Sequence, residues 1–369
     1  MASFAMNAIF IKSALLALPA LVCATACSDS ENRELPVTMQ LCAGLQADVP
    51  ASQALMATLH GKLEAWLQHK GELEDCVTML VFLAARAGVE DEALLAAVRE
   101  LQDAGADIRA VDEKGTSALL YAAYGGFRET FDYLLEEGLT LQDINAVGCS
   151  PLMMAAQGGK TEMIRYLQEM GQSISAMDKL GNNALIYASY GGHLDCIRYL
   201  LEQGENIRSV NTNGHDCLIA AAHSGNVECC RFFMEQGLSA LSCGYDGVTA
   251  PMYAAWGGQL DCFVFLVEQG ANPTAVDSYG NTMAHHAAFG GHAAFMHALA
   301  QYGFAMDEPN LKGQTPLMIA AGEGYAACVQ YLLSAGAKAS RKDAAGNTAL
   351  HYAEKNSHSA CSALLRPAR

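Results

Sequence analysis

The sequence predicts an all-α solenoid: about eight helix–turn–helix units joined by short turn loops, preceded by an N-terminal helical cap. Two glycine series and the residue types between them carry that prediction. Gly115, Gly148, Gly181, Gly214, Gly247, Gly280, Gly313 and Gly346 stand 33 residues apart. Gly105, Gly138, Gly171, Gly204, Gly237, Gly270, Gly303 and Gly336 keep step with them, with no insertion in either series. A fixed period of this length marks one supersecondary unit copied along a line, which decides the architecture before local propensity is consulted. Such a stack offers a long surface and seldom a deep catalytic pocket.

The unit can be justified element by element. Its first glycine, as in Asp178-Lys179-Leu180-Gly181, sits where a tight turn needs positive φ. Thr315 and Pro316 are suited to start a helix, the threonine as cap and the proline in the first turn. Leu119, Leu152, Leu185, Leu218, Leu317 and Leu350 fill one core position of that helix. The pairs Ala122-Ala123, Ala155-Ala156, Ala254-Ala255, Ala287-Ala288 and Ala320-Ala321 are small enough to let neighbouring helices approach closely. A second helix follows, as in Asp195-Cys196-Ile197-Arg198-Tyr199-Leu200-Leu201, with apolar residues at helical spacing. The second glycine ends it as a C-cap. Neither helix can bury its apolar stripe alone, and stacking the copies makes one core.

Gly313-Gln314-Thr315-Pro316-Leu317, then Gly324, then Leu332-Leu333-Ser334-Ala335-Gly336-Ala337, and the phrase Gly346-Asn347-Thr348-Ala349-Leu350-His351-Tyr352-Ala353, resemble the ankyrin repeat. The resemblance covers residues 106–369 in eight copies. It implies a non-enzymatic module that takes a protein partner in a concave groove. The residue after each alanine pair faces that groove in the family, and here it reads Tyr124, Gln157, Tyr190, His223, Trp256, Phe289, Gly322 and Lys355. Turn tips at Val147, Leu180, Tyr245, Tyr279 and Leu311 lie near it. A row of exposed rings is costly for a soluble protein and marks a binding surface. Tyr190, Trp256 and Phe289 are therefore the expected anchors, with Tyr124, Tyr245, Tyr279 and Leu180 around them. Glycine usually follows the ring and is expected to leave space beside it. The competing reading is that the rings stack on one another to cover the helix ends. Tyr121, Tyr187, Tyr253 and Tyr352, three residues earlier, are assigned to the core.

Upstream, residues 91–110 read as a second helix plus loop in phase with the repeats, and residues 80–88 as a first helix about four residues out of phase. The N-terminal capping region is placed at 51–105, with a further helical pattern at 52–69 and a linker at 27–50. At the other end Arg366 stands where Leu135 and Leu201 stand, a polar substitution suited to a cap facing water.

Residues 1–26 carry one charge, Lys12, then an apolar run at 14–22 and Ala24-Thr25-Ala26. This is the order of a secretory signal peptide, and the run is short for a membrane span of about 20 residues. Cys27 follows at once, as in the lipoprotein signals this segment resembles, although Ala24 stands where leucine is expected. The expectation is export to the periplasm or a lipid-anchored state with Cys27 lipidated. The alternative is a mis-assigned start on a cytoplasmic protein.

The formal net charge is −17, and removing residues 1–26 makes it one unit more negative. Such a surface repels nucleic acid and anionic headgroups, so the expected partner is a protein, favoured if it has a basic patch. The chain is expected to be a monomer and to meet a membrane only through its lipid. Of the 13 cysteines, Cys196, Cys229, Cys262, Cys328 and Cys361 share one repeat position. Stacked helices lie roughly 8–10 Å apart, beyond the Cα separation of about 7 Å that a disulfide tolerates, so these equivalent cysteines read as buried small hydrophobes. Cys42 with Cys76 is the candidate pair outside the repeats. His285, His292, His351 and His193 fall where the resembled family places structural histidines, so no metal site is assigned. No phosphate loop, nucleophile elbow or C-x-x-C is present, and no cofactor or catalytic residue is assigned. The rival function is a redox- or metal-responsive protein that uses its cysteine-rich repeats.

Overall fold

A computed structural model describes residues 76–103 and 105–366. The signal-like segment, Cys27, the 27–50 linker, Cys42 and the helical pattern at 52–69 lie outside the described residues. The chain divides into two compact units, Met1–Ala188 with Arg198–Glu205, and Ser189–Ile197 with Asn206–Arg369. The described residues hold 18 helices and, outside them, only isolated bridges such as Val111 to Ser117. The expected all-α repeat is the observed fold.

Helices α1 (Cys76–Ala87) and α2 (Asp91–Asp103) come first. Eight pairs follow: α3 (Ala118–Gly125) and α4 (Arg128–Glu136), α5 (Pro151–Gln157) and α6 (Thr161–Glu169), α7 (Ala184–Gly191) and α8 (Leu194–Glu202), α9 (Cys217–Ser224) and α10 (Val227–Glu235), α11 (Ala250–Gly257) and α12 (Leu260–Glu268), α13 (Met283–Gly290) and α14 (Ala293–Gln301), α15 (Pro316–Glu323) and α16 (Ala326–Ser334), α17 (Ala349–Lys355) and α18 (Ser359–Leu365). First helices pack on first helices and second on second. In the first unit α3 lies between α1 and α5; in the second, α11 lies between α9 and α13. That position explains the composition. Ala118, Leu119, Leu120, Tyr121, Ala122 and Ala123 are all buried, because α3 has neighbours on both flanks. A second helix buries one stripe, as Phe131 and Leu134 do in α4. Each such large side chain taken from water contributes about 1.5–3 kcal/mol.

Capping follows the sequence. Ser117 accepts from the Leu120 N–H, Ser150 from Met153, Asp216 from Ile219, Thr315 from Met318 and Thr348 from His351. In α13 the cap is shared. The Thr282 N–H donates to His285 Nδ1 at 3.1 Å, while His285 Nε2–H donates to the Gln314 carbonyl at 3.0 Å in the next repeat. His285 is fully buried, and burial is the main cause that lowers its pKa to about 4.

The glycine after the groove position, expected to leave space beside the ring, instead lets neighbouring first helices come into contact. A Cβ on Gly158 would stand 1.9 Å from the Tyr124 carbonyl oxygen, and one on Gly290 would stand 2.0 Å from the Trp256 carbonyl oxygen. First helices approach so closely that this position touches the backbone of the preceding helix.

The tyrosines three residues before the groove ring follow a rule of their own. Tyr121 donates its hydroxyl to Asp112 at 2.7 Å and Tyr187 donates to Asp178 at 2.7 Å. Tyr352 donates to Asp343 at 2.5 Å, and His286 Nε2 lies 3.2 Å from Asp277. Each carboxylate is the turn residue three before the first glycine. Where that residue is Asn145, Asn211 or Asn310, the helix position holds Met154, Ala220 or Ile319 instead. A buried hydroxyl requires an acceptor, and an asparagine that only closes the turn suffices where no hydroxyl arrives. One repeat departs from this. Gly244 replaces the aspartate, so Tyr253 bonds to His215 Nδ1 at 2.9 Å, and His215 Nε2 lies 3.1 Å from Asp246. Burial works to raise the Asp246 pKa, but its bonds from His215 and the Val248 N–H outweigh it and hold the carboxyl low.

Candidate functional site

The residues expected to face a partner fall into a buried set and an exposed set. Tyr190 and Trp256, the expected anchors, are each only 8% exposed. Their rings join a cluster in the second unit. Tyr253 meets Trp256 edge-on with centroids 5.2 Å apart, His223 meets Trp256 at 5.7 Å, and Tyr190 meets His223 at 6.2 Å. The expectation of free-standing rings is thus corrected at these two positions. The rings fold over the ends of the first helices and pack on one another, because helices spaced by glycine contact leave no other room. Phe289 and Tyr124 are half-buried, and Phe289 leans on His286 with centroids 6.4 Å apart. Among the described residues the buried Trp256 Nε1–H has no acceptor. Burial is the main cause that lowers the His223 pKa to about 4, with His292 adding to it. The cluster is therefore neutral at pH 7.

The turn tips are the exposed set. Tyr245 is 78% exposed and Leu311 is 78% exposed, with Tyr279 at 38%. Leu180 and Val147 are half-buried. A row that the sequence reading missed runs beside them. Val111, Ile144 and Met177 in the first unit, and Val210 and Val276 in the second, are exposed apolar residues. They keep the same 33-residue step and stand one residue before the turn aspartate or asparagine. The signal was in the sequence: an apolar residue recurred at a position with no helix to pack against.

Backbone bonds between successive turns hold these tips. In the second unit the Tyr245 N–H donates to the Asn213 carbonyl at 2.7 Å, Ser278 to Asp246 at 2.7 Å, and Leu311 to Tyr279 at 2.9 Å. In the first unit Ala146 donates to Lys114 at 2.9 Å and Lys179 to Val147 at 2.9 Å. The Lys312 ammonium sits over the Tyr279 ring, 5.7 Å from its centroid. A shallow cavity of about 330 Å³ opens in the first unit between Val111, Leu139, Ile144 and Arg109.

Most of the described cysteines are placed as small hydrophobes: Cys149, Cys196, Cys229, Cys262, Cys328 and Cys361 are buried, while Cys243 is exposed. Burial pushes the Cys229 and Cys328 thiols up to about 12. Among the described residues no group of three or more His, Cys, Asp or Glu is placed to hold a metal ion.

Rigid turn tips bearing apolar side chains, set on paired helices at a fixed step, are the geometry of a repeat-built binding module. The sequence matches the family described as ankyrin repeats (3 copies) over residues 81–178, 138–211, 185–277, 252–343 and 284–368. The chain belongs to the ankyrin repeat family, whose members generally serve as protein–protein interaction modules. No curated sequence matches it. Among solved structures it is similar to the ankyrin repeat domain of human ASB11, with 25% identity and a TM-score of 0.44, over 60% of this chain and 99% of that one.

Proposed function

We propose that this chain is a binding scaffold that takes a protein partner across the turn tips of its second unit. The observation that carries the reading is the exposed apolar row at Val210, Tyr245, Val276, Tyr279 and Leu311 on turns tied to one another by backbone bonds. Exposed apolar side chains in a contiguous, pre-ordered array mark an interaction surface, because little entropy is lost when they are covered. The ring cluster of Tyr190, His223 and Trp256 lies on the first helices of the same unit, and Phe289 is its half-exposed neighbour. The net charge of −17 favours a partner presenting basic residues around an apolar centre.

Tyr245→Ser combined with Leu311→Ser tests this reading. The doubly substituted protein should lose capture of its partner from host lysate while its helical circular dichroism and unfolding midpoint stay unchanged. Unchanged capture overturns the assignment of the tips.

Export belongs to the same proposal. The apolar run at 14–22, the Ala24-Thr25-Ala26 site and Cys27 support a signal segment with a lipidated cysteine. Intact mass of the protein from its own host tests it: retention of residues 1–26 overturns export, and an unmodified Cys27 overturns the anchor.

A further inference from the structure

Equivalent cysteines of neighbouring repeats are too far apart to pair, but equivalence is the wrong comparison at one junction of the second unit. Cys230 is the fourth residue of α10 and Cys262 the third of α12. They are therefore offset by one position in the repeat, 32 residues apart, and their Sγ atoms lie 4.0 Å from each other. Cys229, which does share the repeat position of Cys262, points elsewhere on α10, since adjacent helical residues diverge by about 100°. Both thiols of the close pair are fully buried.

From this geometry we infer that Cys230 and Cys262 are a disulfide-forming pair, a covalent latch between two adjacent repeats. A disulfide needs a sulfur separation of about 2.05 Å, so from the 4.0 Å contact each Sγ has roughly 1 Å to travel. Both cysteines sit in the first turn of their helices. The bond from Cys230 is the main cause that lowers the Cys262 pKa, and the same bond, with burial, raises that of Cys230. Either sulfur can attack first; with Cys262 attacking, Cys230 is the resolving group.

The co-reactant is a low-molecular-weight disulfide of the glutathione class. The Cys262 thiolate attacks one sulfur of that disulfide, breaks its S–S bond and expels one small thiolate, leaving a mixed disulfide on Cys262. Cys230 then loses its proton and attacks the Cys262 Sγ, expelling the second small thiolate. Two protein thiols are oxidised, one small disulfide is reduced, and the two protons end on the released thiols. Because both sulfurs are buried, reaction follows opening of the first turn of α10 or α12.

The consequence is local. In a repeat stack each interface contributes separately to stability, and the latch would tie α10 to α12, directly behind the α9–α11 junction where His223 meets Trp256. Oxidation would fix that junction and with it the floor of the ring cluster.

The test uses the full chain, equilibrated with oxidised glutathione and then blocked with an alkylating agent. Non-reducing peptide mapping should show one crosslinked pair, Cys230 with Cys262, and loss of two hydrogens in intact mass. The urea midpoint should shift upward, and dithiothreitol should return it. Cys230→Ala should retain glutathione on Cys262 as the stalled mixed disulfide, whereas Cys229→Ala should still close the latch. No crosslink at equilibrium, a crosslink through Cys229 in the unsubstituted protein, or a crosslink that appears only in denaturant would each overturn the inference.

Discussion

Acidification should erode the stability contributed by the Thr282–His285–Gln314 bridge. His285 accepts from the Thr282 N–H through Nδ1 and donates through Nε2–H to the Gln314 carbonyl. A proton added at Nδ1 turns the acceptor into a donor facing a donor, inside a site with no exposure. Its folded pKa is lowered from the ordinary 6.5 to about 4, mainly by burial. The unfolded chain therefore takes up a proton first as pH falls. Stability from this group is complete above pH 6.5, declines below it and is lost once pH passes about 4. At 1.36 kcal/mol per unit the loss amounts to about 3 kcal/mol. His285→Gln keeps an acceptor and a donor in similar places and does not titrate. Urea midpoints followed by circular dichroism from pH 7.5 down to 4 (a range set by ordinary histidine and carboxylate pKa values of about 6.5 and 4) should converge. The native protein begins above His285→Gln and meets or falls below it near the acid end. Two parallel curves would refute the argument, since carboxylate titration is common to both proteins.

Three further outcomes follow from the packing. Tyr187→Phe should cost about 1–2 kcal/mol because the buried Asp178 loses a donor, and adding Asp178→Asn should recover much of that, as the Asn145–Met154 repeat does naturally; a double-mutant cycle with no coupling would contradict the pairing rule. Gly290→Ala forces a Cβ against the Trp256 carbonyl oxygen and should cost about 3 kcal/mol. Gly346→Ala meets nothing within 4 Å and strains only a φ of +83°, so it should cost about 1 kcal/mol; equal melting shifts would show that the helix contact is not the limiting one. Trp256→Phe removes a buried N–H that has no acceptor among the described residues and should leave the melting temperature unchanged or raised, whereas Trp256→Ala should lower stability by about 3–5 kcal/mol. A large loss in the phenylalanine variant would show that the indole N–H is satisfied in solution.

The scaffold was legible in the sequence because its constraints are periodic. A glycine that must take φ near +80°, an alanine that must lie in a helix contact and a threonine that must cap recur with the unit, and each keeps its register. The candidate site was legible only in part. Tyr124, Tyr190, Trp256 and Phe289 share one repeat position, and sequence position says which face a side chain leaves from. It does not say how far the ring turns. That depends on the gap between helices, and the gap is set by Gly257 and Gly290, whose role is visible only once the helices are packed. The exposed row at Val111, Ile144, Met177, Val210 and Val276 has the same period as the core. Periodicity alone could not separate it from buried positions, and only its place in the turn could.

The repeat holding Gly244 shows how a departure from the pattern redistributes its polar groups. Losing the turn aspartate there removes the acceptor that the Tyr253 hydroxyl would have within its own repeat, and a buried hydroxyl left unpaired costs about 1–3 kcal/mol. His215 from the preceding repeat fills the gap and is itself held by Asp246, two residues past the vacated position. A bond that elsewhere closes within one repeat now runs between two. The two repeats it joins are the two that Cys230 and Cys262 face across, and the two whose first helices carry His223 and Trp256. The same junction thus concentrates an inter-repeat polar relay, a close thiol pair and an edge-on ring contact. A stack of near-independent units is stiffened at such a point, because opening one repeat there breaks contacts in its neighbour as well. The turn tips at Tyr245 and Val276 adjoin this stiffened region, so a partner resting on them meets side chains whose order has already been secured by folding.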